Sequence, residues 1–114
     1  MGKNIRISID TNGEKHMKVR EYYAEYDAFT NTIRGFGEAS SAKFKEMKFE
    51  PTFEAILYDK KNRICDTAIA TYNGVFSKTG KMIFRFDFKD VSDFNASHIK
   101  LMLIAKEECS TKLI

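Results

Sequence analysis

Between Met82 and Phe88 the side chains alternate without interruption: Met82, Phe84, Phe86 and Phe88 fall on one parity, Ile83, Arg85 and Asp87 on the other. A period of two is that of a strand with one buried face, and this is the most regular such stretch in the chain. A row of phenylalanines on one face needs an opposing apolar layer, which points to two packed sheets. Composition agrees: the 114 residues include ten Phe and five Tyr but no Trp. Aromatic and β-branched side chains suit pleated, half-buried surfaces.

A second stretch, Phe53 to Ile64, is an alternating strand running into a turn and out again. Reading Asp59-Lys60-Lys61-Asn62-Arg63 as a short loop with Asn62 in the left-handed region pairs Leu57 with Cys65, Ala55 with Thr67 and Phe53 with Ile69. These six form one buried face. Tyr58 with Ile64, and Ile56 with Asp66, fall on the other.

Elsewhere the same reasoning gives further strands. Ile5, Ile7 and Ile9 alternate with polar residues, and Asp10-Thr11-Asn12-Gly13-Glu14 is a turn. A three-residue loop with Gly13 left-handed pairs Ile7 with Met17 and Ile5 with Val19, an N-terminal hairpin. The next strand, Lys18 to Phe29, changes apolar parity midway, as a β-bulge near Arg20-Glu21 would make it do. In Ile33-Arg34-Gly35-Phe36-Gly37 two glycines imply close backbone approach or a bend. Ala39-Ser40-Ser41-Ala42 reads as a loop, and Lys43 to Phe49, closed by Pro51, as irregular or a short strand. Ala68 to Tyr72 completes a strand, and turn signals follow at Asn73-Gly74 and Ser77-Lys78-Thr79-Gly80. Val91 to Ser97 is a polar crossover carrying Phe94. Ile99 to Ile104 is a nearly continuous apolar strand, and 105–114 a tail.

The expected fold is therefore all-β: an antiparallel β-sandwich of about 7–8 strands with an N-terminal hairpin, as one domain over residues 1–114. The linear order also resembles the FxLYD family of immunoglobulin-like domains. The resemblance rests on Phe53-x-x-x-Leu57-Tyr58-Asp59, then Asn62-Arg63-Ile64, with Ile33-x-Gly35 upstream and Gly80-Lys81 before Phe84 and Phe86 downstream. It covers about residues 17–104. Asn62 stands where the family usually has Gly, and an Asn usual near Ser40 or Ser41 is missing. The resemblance implies an immunoglobulin-like bacterial domain, often attached to other modules in envelope or secreted proteins, with no known catalytic residues.

Charge excludes some partners. The formal net charge is +3, with nine basic and eight acidic residues in 1–50 and ten and eight in 51–114, so no basic stripe for nucleic acid emerges. The cluster Lys60-Lys61-Arg63 reads as a solvated turn tip. No apolar leader or 18-residue apolar span is present, so the chain as it stands reads as cytoplasmic, or as exported or envelope-attached if a leader or anchor has been removed. Cys65 and Cys109 follow no metal-ligand spacing and read as two thiols rather than a bridge.

Neither His16 nor His98 has a ligand partner at metal-binding spacing, and no Ser, Thr or Cys lies in a nucleophile motif. The expectation is a non-enzymatic module without cofactor. It would bind a protein or envelope partner or a second copy, and Tyr22, Tyr23 and Tyr26 are the candidate contact residues, since tyrosine is enriched at interfaces. The alternative is a small-ligand or calcium site at one end of the sandwich, drawing on Asp87, Asp90, Asp93 and His98.

Overall fold

The structure is a computed structural model and describes residues 3–13, 17–41, 49–72, 81–91 and 96–108. Nine strands lie within them: β1 (Lys3–Asn4), β2 (Arg6–Asp10), β3 (Met17–Asp27), β4 (Thr32–Ser41), β5 (Phe49–Tyr58), β6 (Ile64–Ile69), β7 (Thr71–Tyr72), β8 (Lys81–Phe88) and β9 (His98–Glu108). A five-stranded sheet has the order β1-β3-β4-β8-β7, and a four-stranded sheet the order β2-β9-β5-β6. The protein is all-β and two-layered, as the alternation of β8 predicts. Among the described residues no helix is long and apolar enough to cross a membrane.

The core lies between the two sheets. The β8 face of Met82, Phe84, Phe86 and Phe88 is buried from one side, and Phe53, Ala55, Leu57, Ile99, Leu101 and Leu103 from the other. Phe53 stacks on Phe84 across the layers, with ring centroids 5.3 Å apart. Burying one such ring contributes about 1.5–3 kcal/mol, so this double row supplies much of the driving force. The glycines of β4 make room for it. Gly35 and Gly37 stand opposite Phe86 and Phe84 in the β4–β8 ladder, and those rings fill the space where side chains at 35 and 37 would go.

The bulge in β3 is present. Arg20 pairs with Glu38 and Tyr23 with Phe36, so Glu21 and Tyr22 together oppose Gly37, and Glu21 has φ 52°. Strand β3 ends at Asp27, short of the expected Phe29, which is almost fully exposed at the hairpin tip. Asn62 has φ 60°, as expected, and its turn is organised by Asp59. One carboxylate oxygen accepts the Lys61 and Arg63 amides at 2.8 and 2.9 Å, and the other accepts Arg63 Nε at 2.9 Å. These bonds hold the Asp59 carboxyl below its ordinary pKa, the Arg63 amide contributing most.

Several expectations are corrected. There is no N-terminal hairpin: β1 lies antiparallel on β3, β2 lies parallel to β9, and Ile7 pairs with Ile99 rather than Met17. Between them Ile5, expected opposite Val19, donates its amide to Ala24 O at 2.9 Å. The first strand thus crosses from one sheet to the other. Its isoleucines still face the core, but the long apolar β9 is their neighbour. One ladder is consequently parallel in a sandwich expected to be wholly antiparallel.

The β5–β6 register is offset by one from the expected pairing. Tyr58 pairs with Ile64 but Leu57 with Asp66, leaving Cys65 as an extra residue. Phe53, Ala55 and Leu57 are buried as expected, whereas Cys65, Thr67 and Ile69 are turned to solvent. Ala68 to Tyr72 is not one strand either. Ala70, whose amide reaches Phe53 O at 2.9 Å, separates β6 in one sheet from β7 in the other. Ala39 to Ser41 belongs to β4 instead of a loop, with Ala39 fully buried. The tail expected from 105 is strand as far as Glu108, paired with the start of β5. The stretch 42–48, the turn signals in 73–80, His16, Asp93, Phe94 and Cys109 lie outside the described residues.

Candidate functional site

The bulge decides which aromatic ring reaches the outer surface. Counting back from Arg20 opposite Glu38, a regular ladder would set Tyr22 against Phe36 and Tyr23 against Gly35, on the core side. The extra residue moves Tyr23 outward to pair with Phe36. Their ring centroids are 5.4 Å apart and tilted by 45°. Both rings are exposed.

Around that pair the outer face of the five-stranded sheet is a regular grid. One row across the strands reads Tyr23, Phe36, Arg85, Thr71, and the next reads Glu25, Arg34, Asp87. Each arginine therefore has cross-strand neighbours that complement it, an aromatic ring for Arg85 and two carboxylates for Arg34. Ile83, opposite Glu38, extends the apolar part of the face and is mostly exposed. The Tyr23 hydroxyl donates to Glu25 Oε2, and this bond, with some desolvation and the carboxylate charge, raises the tyrosine pKa. The two rows of this grid, with Ile69 and Gly35, line an open groove of about 790 Å³.

The three tyrosines proposed as a contact surface are thus separated. Tyr23 is central to the exposed grid. Tyr22 is exposed beside it within the bulge. Tyr26 is buried, its hydroxyl donating to Asn31 Oδ1 at 2.8 Å, and is a structural residue unavailable to a partner. Phe36, Arg34 and Arg85 were not singled out from the sequence. Their signal was the alternation of Arg34 and Phe36 with the two glycines, and of Arg85 with the β8 phenylalanines.

Of the alternative ligand set, Asp87 and His98 are not brought together. Asp87 lies between two inward-facing phenylalanines and so projects from the outer face of the five-stranded sheet. His98 precedes the buried Ile99 on the other sheet and stacks on Tyr58, with centroids 4.8 Å apart. The two side chains are on opposite outer faces, so one ion cannot bind both. Asp90, exposed with φ 57°, follows β8, and no three His, Cys, Asp or Glu residues among the described ones could hold a metal. His98 Nδ1 has Ser97 Oγ at 3.4 Å. Cys65 is exposed on β6, and desolvation, with the charges of Asp59 and Asp66, raises its thiol pKa although Arg63 opposes them.

In chemical terms the grid offers the rings of Tyr23 and Phe36, the guanidinium groups of Arg34 and Arg85 and the carboxylates of Glu25 and Asp87, a set suited to recognition. No family model, curated protein or solved structure matches the chain.

Proposed function

We propose that this protein is a non-catalytic interaction module, an immunoglobulin-like sandwich of FxLYD type that binds a protein partner through the outer face of its five-stranded sheet. The observation that carries the reading is the solvent-exposed Tyr23–Phe36 pair, seated beside Arg34 and Arg85. Tyrosine, phenylalanine and arginine are the residue types concentrated at protein interfaces, where rigid rings give large contact area at little entropic cost. The alternating charges of Glu25, Arg34 and Asp87 would fix the register of a partner more than they add affinity.

The immunoglobulin-like part of the reading is supported by strand order. β3, β4, β8 and β7 succeed one another as do A, B, E and D of a constant-type domain, and β5 and β9 lie side by side as do C and F. The position of G, beside F, is taken here by β2.

A photo-crosslinking residue at position 36 tests the function, with position 104 on the outer face of the other sheet as control. The expected result is a discrete adduct formed in cells from position 36 only and abolished by Arg34→Glu with Arg85→Glu. Absence of an adduct, or identical adducts from both positions, would remove the reading. An adduct of twice the chain mass would identify the partner as a second copy.

A further inference from the structure

Among the described residues each sheet has two edges, and three of the four edge strands are short or charged. β1 and β7 have two residues each, and β2 carries Arg6 and Asp10 at its ends. β6 differs: it has six residues, and Ile64 and Ile69 are 62% and 51% exposed. Between Ile64 and Tyr72 the only charged residue is Asp66. A strand of this kind is a template for pairing with another chain unless something blocks it.

The orientation of its backbone follows from the ladder. Ala70 donates its amide to Phe53 O at 2.9 Å, and Ala68 and Asp66 stand opposite Ala55 and Leu57 in the same frame. The even residues therefore turn their amides toward β5. Thr67 and Ile69 turn theirs toward the open edge. At that edge Asp66 Oδ1 accepts the Thr67 amide at 2.8 Å. Asp66 also stands opposite the buried Leu57, so its charge leaves the strand on the core side of the sheet, where a docked strand would desolvate it.

We propose that Asp66 guards the β6 edge against a second copy of this chain, and that without its carboxylate two copies pair antiparallel about Thr67. Only residues of equal backbone orientation can face each other across such a two-fold axis. Centring on Thr67 sets Thr67 against Thr67, a favourable cross-strand pair, and Asp66 against Ala68. The central pair needs the Thr67 amide that Asp66 now holds. It would also bring the two Asp66 carboxylates onto neighbouring diagonal positions, about 7–8 Å apart, as the edge loses water. The second copy is the occupant considered because the strand is complementary to itself in this register.

The test is sedimentation of wild type and Asp66→Ala, with circular dichroism to establish that both are folded. Wild type should remain monomeric where Asp66→Ala dimerises, with an association constant at least tenfold higher. A second measurement uses Thr67→Cys with Cys65→Ser and Cys109→Ser. Directly opposed residues of a hydrogen-bonded pair have Cα atoms about 5.5 Å apart, within reach of a disulfide. Mild oxidation should link two copies at least ten times faster when Asp66→Ala is added. A folded Asp66→Ala that stays monomeric, or Thr67→Cys crosslinking that is indifferent to residue 66, overturns the proposal.

Discussion

The ring of Phe86 lies over Gly35, its cross-strand partner, and occupies the volume in which a Cβ at position 35 would stand. Gly13 is the only described glycine with positive φ, so Gly35 is required for space, not for backbone freedom. Gly35→Ala should therefore destabilise by about 3 kcal/mol, the upper end for overpacking a core. At Gly37 the nearest atom, Phe84 Cζ, would be 2.6 Å from the new Cβ, and the loss should be smaller. Urea denaturation measures both. Adding Phe86→Leu to Gly35→Ala should recover part of the loss, and strict additivity would show that the ring is not the obstacle.

Tyr26 and Asn31 tie the β3–β4 turn to the end of β8. The tyrosine hydroxyl donates to Asn31 Oδ1, and Asn31 O accepts the Val91 amide at 2.8 Å. Tyr26→Phe should cost about 1 kcal/mol, the net value of one such hydrogen bond. Asn31→Ala should cost more, since it also places alanine at φ 52° and strands a buried hydroxyl. Amide exchange at Val91 should accelerate in Asn31→Ala before it does so in the core strands.

The left-handed Asn62 gives a prediction opposite in sign to ordinary propensity. Asn62→Gly should leave stability within about 0.5 kcal/mol of wild type, whereas Asn62→Val, a good strand former, should lose about 1–2 kcal/mol at φ 60°. Thermal unfolding of the two variants checks this. Equal midpoints would mean that the turn re-forms in another geometry.

Asp59 should titrate below the ordinary carboxyl value in the folded protein, because the ionised form accepts the Arg63 amide, then the Lys61 amide and the Arg63 guanidinium. With the folded pKa depressed, its stabilisation is present above the unfolded value, near 3.9, and is lost as pH falls through the folded pKa. Carboxyl-detected NMR titration reads it directly. Arg63→Ala should raise the Asp59 pKa only part of the way, since the backbone amide of residue 63 remains the largest contributor. Complete restoration would assign the effect to the side chain.

The grid on the five-stranded sheet was half legible. Tyr23 could be proposed because three tyrosines cluster after a change of parity, and the change itself located the bulge. Phe36 was hidden because a phenylalanine between two glycines reads as core, and only the pairing of Gly35 and Gly37 with Phe86 and Phe84 shows that the inward side is already filled. Tyr26 and Tyr22 were interchangeable by composition. The bulge turns Tyr26 inward and leaves Tyr22 outside.

By itself the sequence determined which residues turn inward along β2, β5 and β8, because alternation is a property of the strand alone. It also determined where the backbone departs from regularity: the glycines opposite large rings, the parity change at Arg20-Glu21, the left-handed Asn62. Partners and register were decided only by the tertiary structure. The Ile5, Ile7 and Ile9 stripe satisfies burial in a hairpin with β3 or in a parallel ladder with β9, and its own pattern is the same in both. One extra residue at Cys65 likewise moves Cys65, Thr67 and Ile69 from the expected buried face to solvent. Backbone hydrogen bonds carry no residue identity, so strand partners are chosen by the closing of the two layers over one core.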